Sequence, residues 1–179
     1  MKMHFIVGPF GSGRQKIFKK LIGTLRKLPA SVIGDGIGGT AGQSMMPDLD
    51  STSLQHCLYQ IRQKLVVFEG LDHYVFTGTG LSMHIKKIMA EYPDAALYMV
   101  RRTNAELELT AVAAKFDVTE EWITASNAQV RADHEAYADE LGIPWKLVNT
   151  PVFTVNNTPN WAPVDEPSDT DIEMACYNQ

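Results

Sequence analysis

Short apolar runs alternate with longer stretches of helical period along most of this chain. Lys2 to Gly8 (KMHFIVG) is a compact apolar run halted by glycine, which predicts a buried strand. From Arg14 to Lys27, Ile17, Leu21, Leu25 and the following Leu28 recur near helical spacing with lysines on the other face, which predicts an amphipathic helix. Ser31 to Gly34 predicts a second strand that runs into the glycine-rich DGIGGTAG. Thr52 to Gln63 reads as a helix capped by Ser51 or Ser53, and Leu65 to Glu69 (LVVFE) reads as the clearest strand of the sequence. Leu81 to Tyr92 predicts a helix ended by Pro93, and Ala95 to Val100 the next strand. Asn104 to Phe116 is helical, and Asp117 with Glu120 forms a capping box that opens a long helix to about Leu141. Gly142 stops it before a last strand, Ile143 to Asn149, whose Pro144 suits a strand beginning or an edge position.

This alternation predicts an α/β fold with a mainly parallel five-stranded sheet covered on both faces. Residues 1–150 form the domain, and 151–179, rich in Pro, Asn, Thr and Asp, read as a loop passing into a loose tail. The length of 179 residues suits one domain, and 45% apolar with 21% charged residues is an ordinary globular composition. No apolar stretch approaches the roughly 18–20 residues that span a bilayer, so no membrane partner is expected. The start lacks the h-region of a signal peptide, and Cys57 and Cys176 make no metal or disulfide framework. A reducing cytoplasm is the expected compartment.

Charge changes the picture locally. The formal net charge of −5 resides in the tail, where Asp165, Glu166, Asp169, Asp171 and Glu173 stand without a Lys or Arg from Leu147 onward. The first 34 residues carry seven bases (Lys2, Arg14, Lys16, Lys19, Lys20, Arg26 and Lys27) and no acid. That split argues against a uniformly nucleic-acid-coating protein.

The candidate chemistry lies where the first strand meets the first helix. Gly8-Pro9-Phe10-Gly11-Ser12-Gly13-Arg14-Gln15 follows the phosphate-loop pattern G-x-x-x-x-G, with Arg14 and Gln15 where Lys and Ser/Thr are usual. Small residues let backbone N–H groups curl around a phosphate, and the helix N-terminus adds about half a positive charge. Arg14 keeps the cation in a bulkier planar form, whereas Gln15 lacks the hydroxyl that usually sits on magnesium. Either Ser12, a water or an acid elsewhere then holds the metal, or the metal is held weakly.

In these residues and in element order over 1–150, the chain resembles the P-loop kinases of the nucleoside and nucleotide monophosphate kinase type. The resemblance implies a three-layer P-loop fold, ATP and Mg2+ as cofactors, and phosphoryl transfer to a nucleotide substrate. It implies that Gly8, Phe10, Gly11, Ser12, Gly13, Arg14 and Gln15 bind the nucleotide. It places Glu69 at a strand tip beside the loop, holding magnesium or a water, with Asp72 as the second candidate. Asp35, ending the second strand, is either the base that orients the acceptor hydroxyl or a turn aspartate. Arg101, Arg102 and Arg131 are the arginines implied for the transferred group, whose charge spreads over three oxygens. Asn149-Thr150-Pro151 stands where a loop runs beside the adenine.

Tyr74, Phe76 and the run Thr77-Gly78-Thr79-Gly80 form either a wall for an acceptor base or core packing, and His73 beside Asp72 is either a site or a loop histidine. The five histidines have no zinc spacing. In design the compact chain is also similar to bacterial-virus P-loop kinases that phosphorylate a hydroxymethylated pyrimidine within DNA. DNA is therefore a second partner class, and the lysines of the first helix are either its contact surface or a solvated face. The competing reading is a nucleotide-binding or scaffold protein without turnover.

Overall fold

The computed structural model describes residues 1–9, 12, 14–38, 52–100 and 119–141. Within them the chain is α/β with a parallel sheet of four strands in the order β2-β3-β1-β4. β1 (Lys2–Val7) is central, because His4 to Val7 are buried on both sides of the strand. Phe5 lies opposite both Phe76 of β3 (His73–Thr77) and Leu97 of β4 (Ala96–Met99). β2 (Val32–Gly36) is an edge strand paired only with β3 among the described residues.

The alternation along each strand splits the core in two. Ile6, Val75 and Tyr98 pack with Ile17, Leu21 and Leu25 of α1 (Arg14–Leu25). Phe5, Val7, Phe76 and Leu97 face the other way, toward α2 (Leu54–Val67), α3 (Thr79–Met83), α4 (Ile85–Glu91) and α5 (Glu120–Glu140). Neighbouring strands β1 and β3 therefore send their outgoing chains to opposite faces, which opens a crevice at the carboxyl ends of the strands. His134 of α5 meets Ser82 at the end of α3, and Glu140 meets Lys86 on α4. α5 thus runs in the same direction as α3 and α4. The part before His134, about 20 Å at 1.5 Å per residue, extends beyond the strand ends.

Three expectations are corrected. Leu65 to Val67 form the last turn of α2, with Phe68 as its C-cap, and Glu69 follows in the exposed turn. Leu54, Leu58, Ile61 and Leu65 continue one helical face, so burying that face outweighs the strand preference of Val66 and Val67, which are 75% and 65% exposed. The strand of this region is His73–Thr77, which carries the aromatic residues. The α5 cap is Thr119, whose side chain accepts from Trp122 N–H at 3.2 Å, in place of the Asp117–Glu120 box. His84 divides the Leu81–Tyr92 helix into α3 and α4. The helix expected over 104–116, the strand over 143–149 and the acidic tail lie outside the described residues. No helix among the described residues is long and apolar enough to cross a membrane.

Candidate functional site

The loop after β1 is held tightly against its surroundings. A Cβ on Gly8 would lie 2.5 Å from the Val100 carbonyl oxygen and 2.6 Å from Ser12 Oγ, so only glycine fits between the end of β4 and the loop's own serine. Gly8 N–H donates to Ser82 Oγ at 3.1 Å, and Ser12 N–H donates to the Pro9 carbonyl at 3.2 Å. Both N–H groups therefore shape the loop. Ser12 is fully buried, and its Oγ has no hydrogen-bond partner among the described residues. Gln15 is half-buried in the first turn of α1, while Phe10, Gly11 and Gly13 lie outside the described residues.

Arg14 opens α1, yet its side chain turns inward and is only 5% exposed. Nη1 donates to the Gly8 carbonyl at 2.5 Å and to Ser82 Oγ at 3.1 Å, and Nη2 donates to Thr79 Oγ1 at 3.1 Å. The guanidinium thereby bridges the crevice between the tips of β1 and β3. Burial lowers its pKa to about 10, which still leaves it charged at neutral pH.

Ser82 and His134, which sequence reasoning missed, complete this cluster. Ser82 Oγ accepts from Gly8 N–H and Arg14 and donates to the Gly78 carbonyl at 2.8 Å, so its hydrogen-bonding capacity is filled. The Ser82 carbonyl bonds His134 Nε2 at 2.8 Å, and since a carbonyl only accepts, Nε2 carries the proton. Burial, with a smaller push from Arg14, takes the His134 pKa down to about 4 against the bond to Ser82, so the ring is neutral. Arg131 lies one turn earlier on α5, half-buried with Nε and Nη2 shielded from solvent. It belongs to the end of the sheet that carries the loop. No local sequence signal marks Ser82, 68 residues from Arg14.

The β3 tip is built on glycine. Gly78 has φ 151°, and a Cβ there would collide with the Ile37 carbonyl. Gly80 N–H donates to the Gly38 carbonyl at 2.9 Å, and Gly38 N–H donates to Gln60 Oε1 at 2.7 Å. The chains after β2 and β3 are thus locked side by side. Thr77 Oγ1 donates to the Ile6 carbonyl at 2.9 Å.

Asp35 stands one residue before the end of β2, half-buried, with Lys64 of α2 as its ion-pair partner and Gly36 N–H donating to its Oδ1 at 2.7 Å. It faces α2. Glu69 and Asp72 are at the opposite end of the sheet from the phosphate loop, before β3 begins. Asp72 accepts from Ser31 N–H at 2.8 Å and Ser31 Oγ at 2.9 Å, bonds that hold its carboxyl below the usual range. Tyr74 and Phe76 are core residues, with the Tyr74 hydroxyl on the Phe68 carbonyl. His73 bonds His4, Nδ1 to Nε2 at 3.0 Å, and His4 Nδ1 meets the Tyr98 hydroxyl at 3.2 Å. Arg101 and Arg102 lie outside the described residues.

As for magnesium, among the described residues no three His, Cys, Asp or Glu side chains gather, and both carboxylates assigned to the ion are remote from the loop. Glu69 and Asp72 do not fit a magnesium site at this loop. Comparison with protein-family models, with characterised proteins and with solved structures finds no match to this chain.

Proposed function

We propose that the chain is a phosphate-loop phosphotransferase of the kinase kind, with the strand over 143–149 completing a five-stranded, three-layer P-loop fold. It takes ATP and passes the terminal phosphate to a nucleotide, or to a hydroxymethylated base carried by DNA. One observation carries the reading. The glycine-bounded loop lies at the carboxyl end of the central strand, at the switch between faces, and opens α1 with the buried Ser12 hydroxyl beneath it. The loop's backbone N–H groups other than those of Gly8 and Ser12, with the α1 N-terminus, hold the phosphates, and Ser12 Oγ adds a hydrogen bond. Arg131, with Arg101 and Arg102 after β4, supplies positive charge for the transferred group. The acceptor lies over β2 and β3, where Asp35 orients it once Lys64 is displaced.

A second reading, nucleotide binding without turnover, is favoured by the β3 tip, where Thr77-Gly78-Thr79 supplies no carboxylate. An ATP-turnover assay with mixed deoxynucleotides and hydroxymethylated DNA separates the two. Phosphate appearing on any of these acceptors supports the enzyme; saturable ATP binding with no transfer establishes the binding protein. Among acceptors, binding to duplex DNA that weakens steeply with salt marks the polymer as substrate.

A further inference from the structure

Arg14 occupies the position at which a phosphate loop normally presents a cation to its ligand, yet its side chain is used inside the protein. Among the described residues its fork holds three oxygens on two segments: the Gly8 carbonyl at the end of β1, and Thr79 Oγ1 and Ser82 Oγ of α3. Ser82 ties the same cluster to the Gly8 N–H and to the Gly78 carbonyl, and its own carbonyl ties it to His134 of α5. The Gly8 N–H is therefore fixed from the β3 side of the crevice by Ser82, and its carbonyl by Arg14 of α1.

We infer that Arg14 is a positioning residue that sets the spacing between the phosphate loop and the β3–α3 turn, and that it does not ligate phosphate. This deepens the nucleotide-binding reading and rests on it for the second half of the claim. The planar guanidinium explains why lysine does not stand here: an ammonium's three donors all radiate from one nitrogen, whereas acceptors on separate segments suit donors spread over a rigid fork. The loop then holds an anion by backbone N–H groups, the α1 N-terminus and Ser12, and the charge that meets the terminal phosphate comes from elsewhere, as from Arg131. Gly8 stays in place because its N–H and its carbonyl are both occupied.

The test uses the full chain and the variants Arg14→Lys, Thr79→Val and Ser82→Ala, with inorganic pyrophosphate and ATP as probes in calorimetry. Arg14→Lys restores the usual phosphate-loop residue while removing the fork. The expected result is a Tm lower by about 4 °C or more, with probe affinity changed by less than about threefold at a temperature where all proteins are folded. Arg14→Lys with Ser82→Ala should lose much less than the summed single losses, because both sever one network. The His134 pKa, followed by NMR, should rise in Arg14→Met as the neighbouring positive charge goes; should that variant not fold, the same comparison in Arg14→Lys tests whether displacing the guanidinium moves it. A Tm unchanged in Arg14→Lys, additive losses, or an affinity change of about tenfold or more each overturns the assignment. If the wild type binds neither probe, the nucleotide reading fails. The bridging role is then decided by Tm, additivity and the His134 titration alone.

Discussion

Two buried histidines give the protein a defined response to acid. His4 is held neutral by burial and by the neighbouring His73 and Lys2, with its pKa pushed down to about 3, and His134 is taken down to about 4. Unfolding returns each toward about 6.5, so below that pH the unfolded chain binds protons that the folded chain refuses. Stability contributed by the neutral rings is complete above about pH 6.5 and is lost as pH falls toward 3–4. Urea unfolding at pH 7.5 and 5 should show a loss of up to about 2 kcal/mol per histidine, and His134→Gln should shrink the loss. The opposite sign at acid pH would contradict the buried neutral rings. Glu69 behaves differently. It is exposed in the turn after α2, so Glu69→Gln should leave Tm within about 1 °C and ATP binding unchanged; loss of ATP binding would return it to the site.

At the scale of elements, glycine positions separate what is tolerated from what is not. Gly23 lies in α1 with nothing near its would-be Cβ, so Gly23→Ala should stabilise by about 0.5–1 kcal/mol, read as a rise in Tm. Gly78 links β3 to α3 at φ 151° against the Ile37 backbone, so Gly78→Ala should cost about 3 kcal/mol or more, or abolish folding. A harmless Gly78→Ala would mean that the β2 and β3 tips are not locked together. These elements also show what was legible. β1, α1 and β4 were readable because each has a single period and a clear stop. LVVFE was misread because three β-favouring residues end a helix whose buried face, Leu54 to Leu65, was already set by spacing. With the strand moved to His73–Thr77, the carboxylates assigned to the metal moved to the far end of the sheet. The Arg14 cluster was not legible, since Thr79, Ser82 and His134 reach it only through the parallel crossovers.

For the molecule as a whole, the parallel order β2-β3-β1-β4 places one glycine-bounded loop at the switch between faces and fixes it from beneath by Arg14. The basic N-terminal segment of the sequence divides accordingly. Arg14 is internal, while Lys19, Arg26 and Lys27 on or just after α1 are exposed. An anion bound at the loop, as proposed, would then depend on backbone N–H groups and the Ser12 hydroxyl, with the surface lysines contributing only a screened field. The central claim is that a nucleotide's phosphates bind at this loop. An amide NMR titration of the full chain with ATP tests it most directly. The account predicts saturable shifts concentrated at Gly8 to Gln15, with smaller ones at Thr79 to Ser82 and none at Glu69 or Asp72. Absence of saturable shifts, or shifts centred on the Glu69–Asp72 end of the sheet, would contradict it.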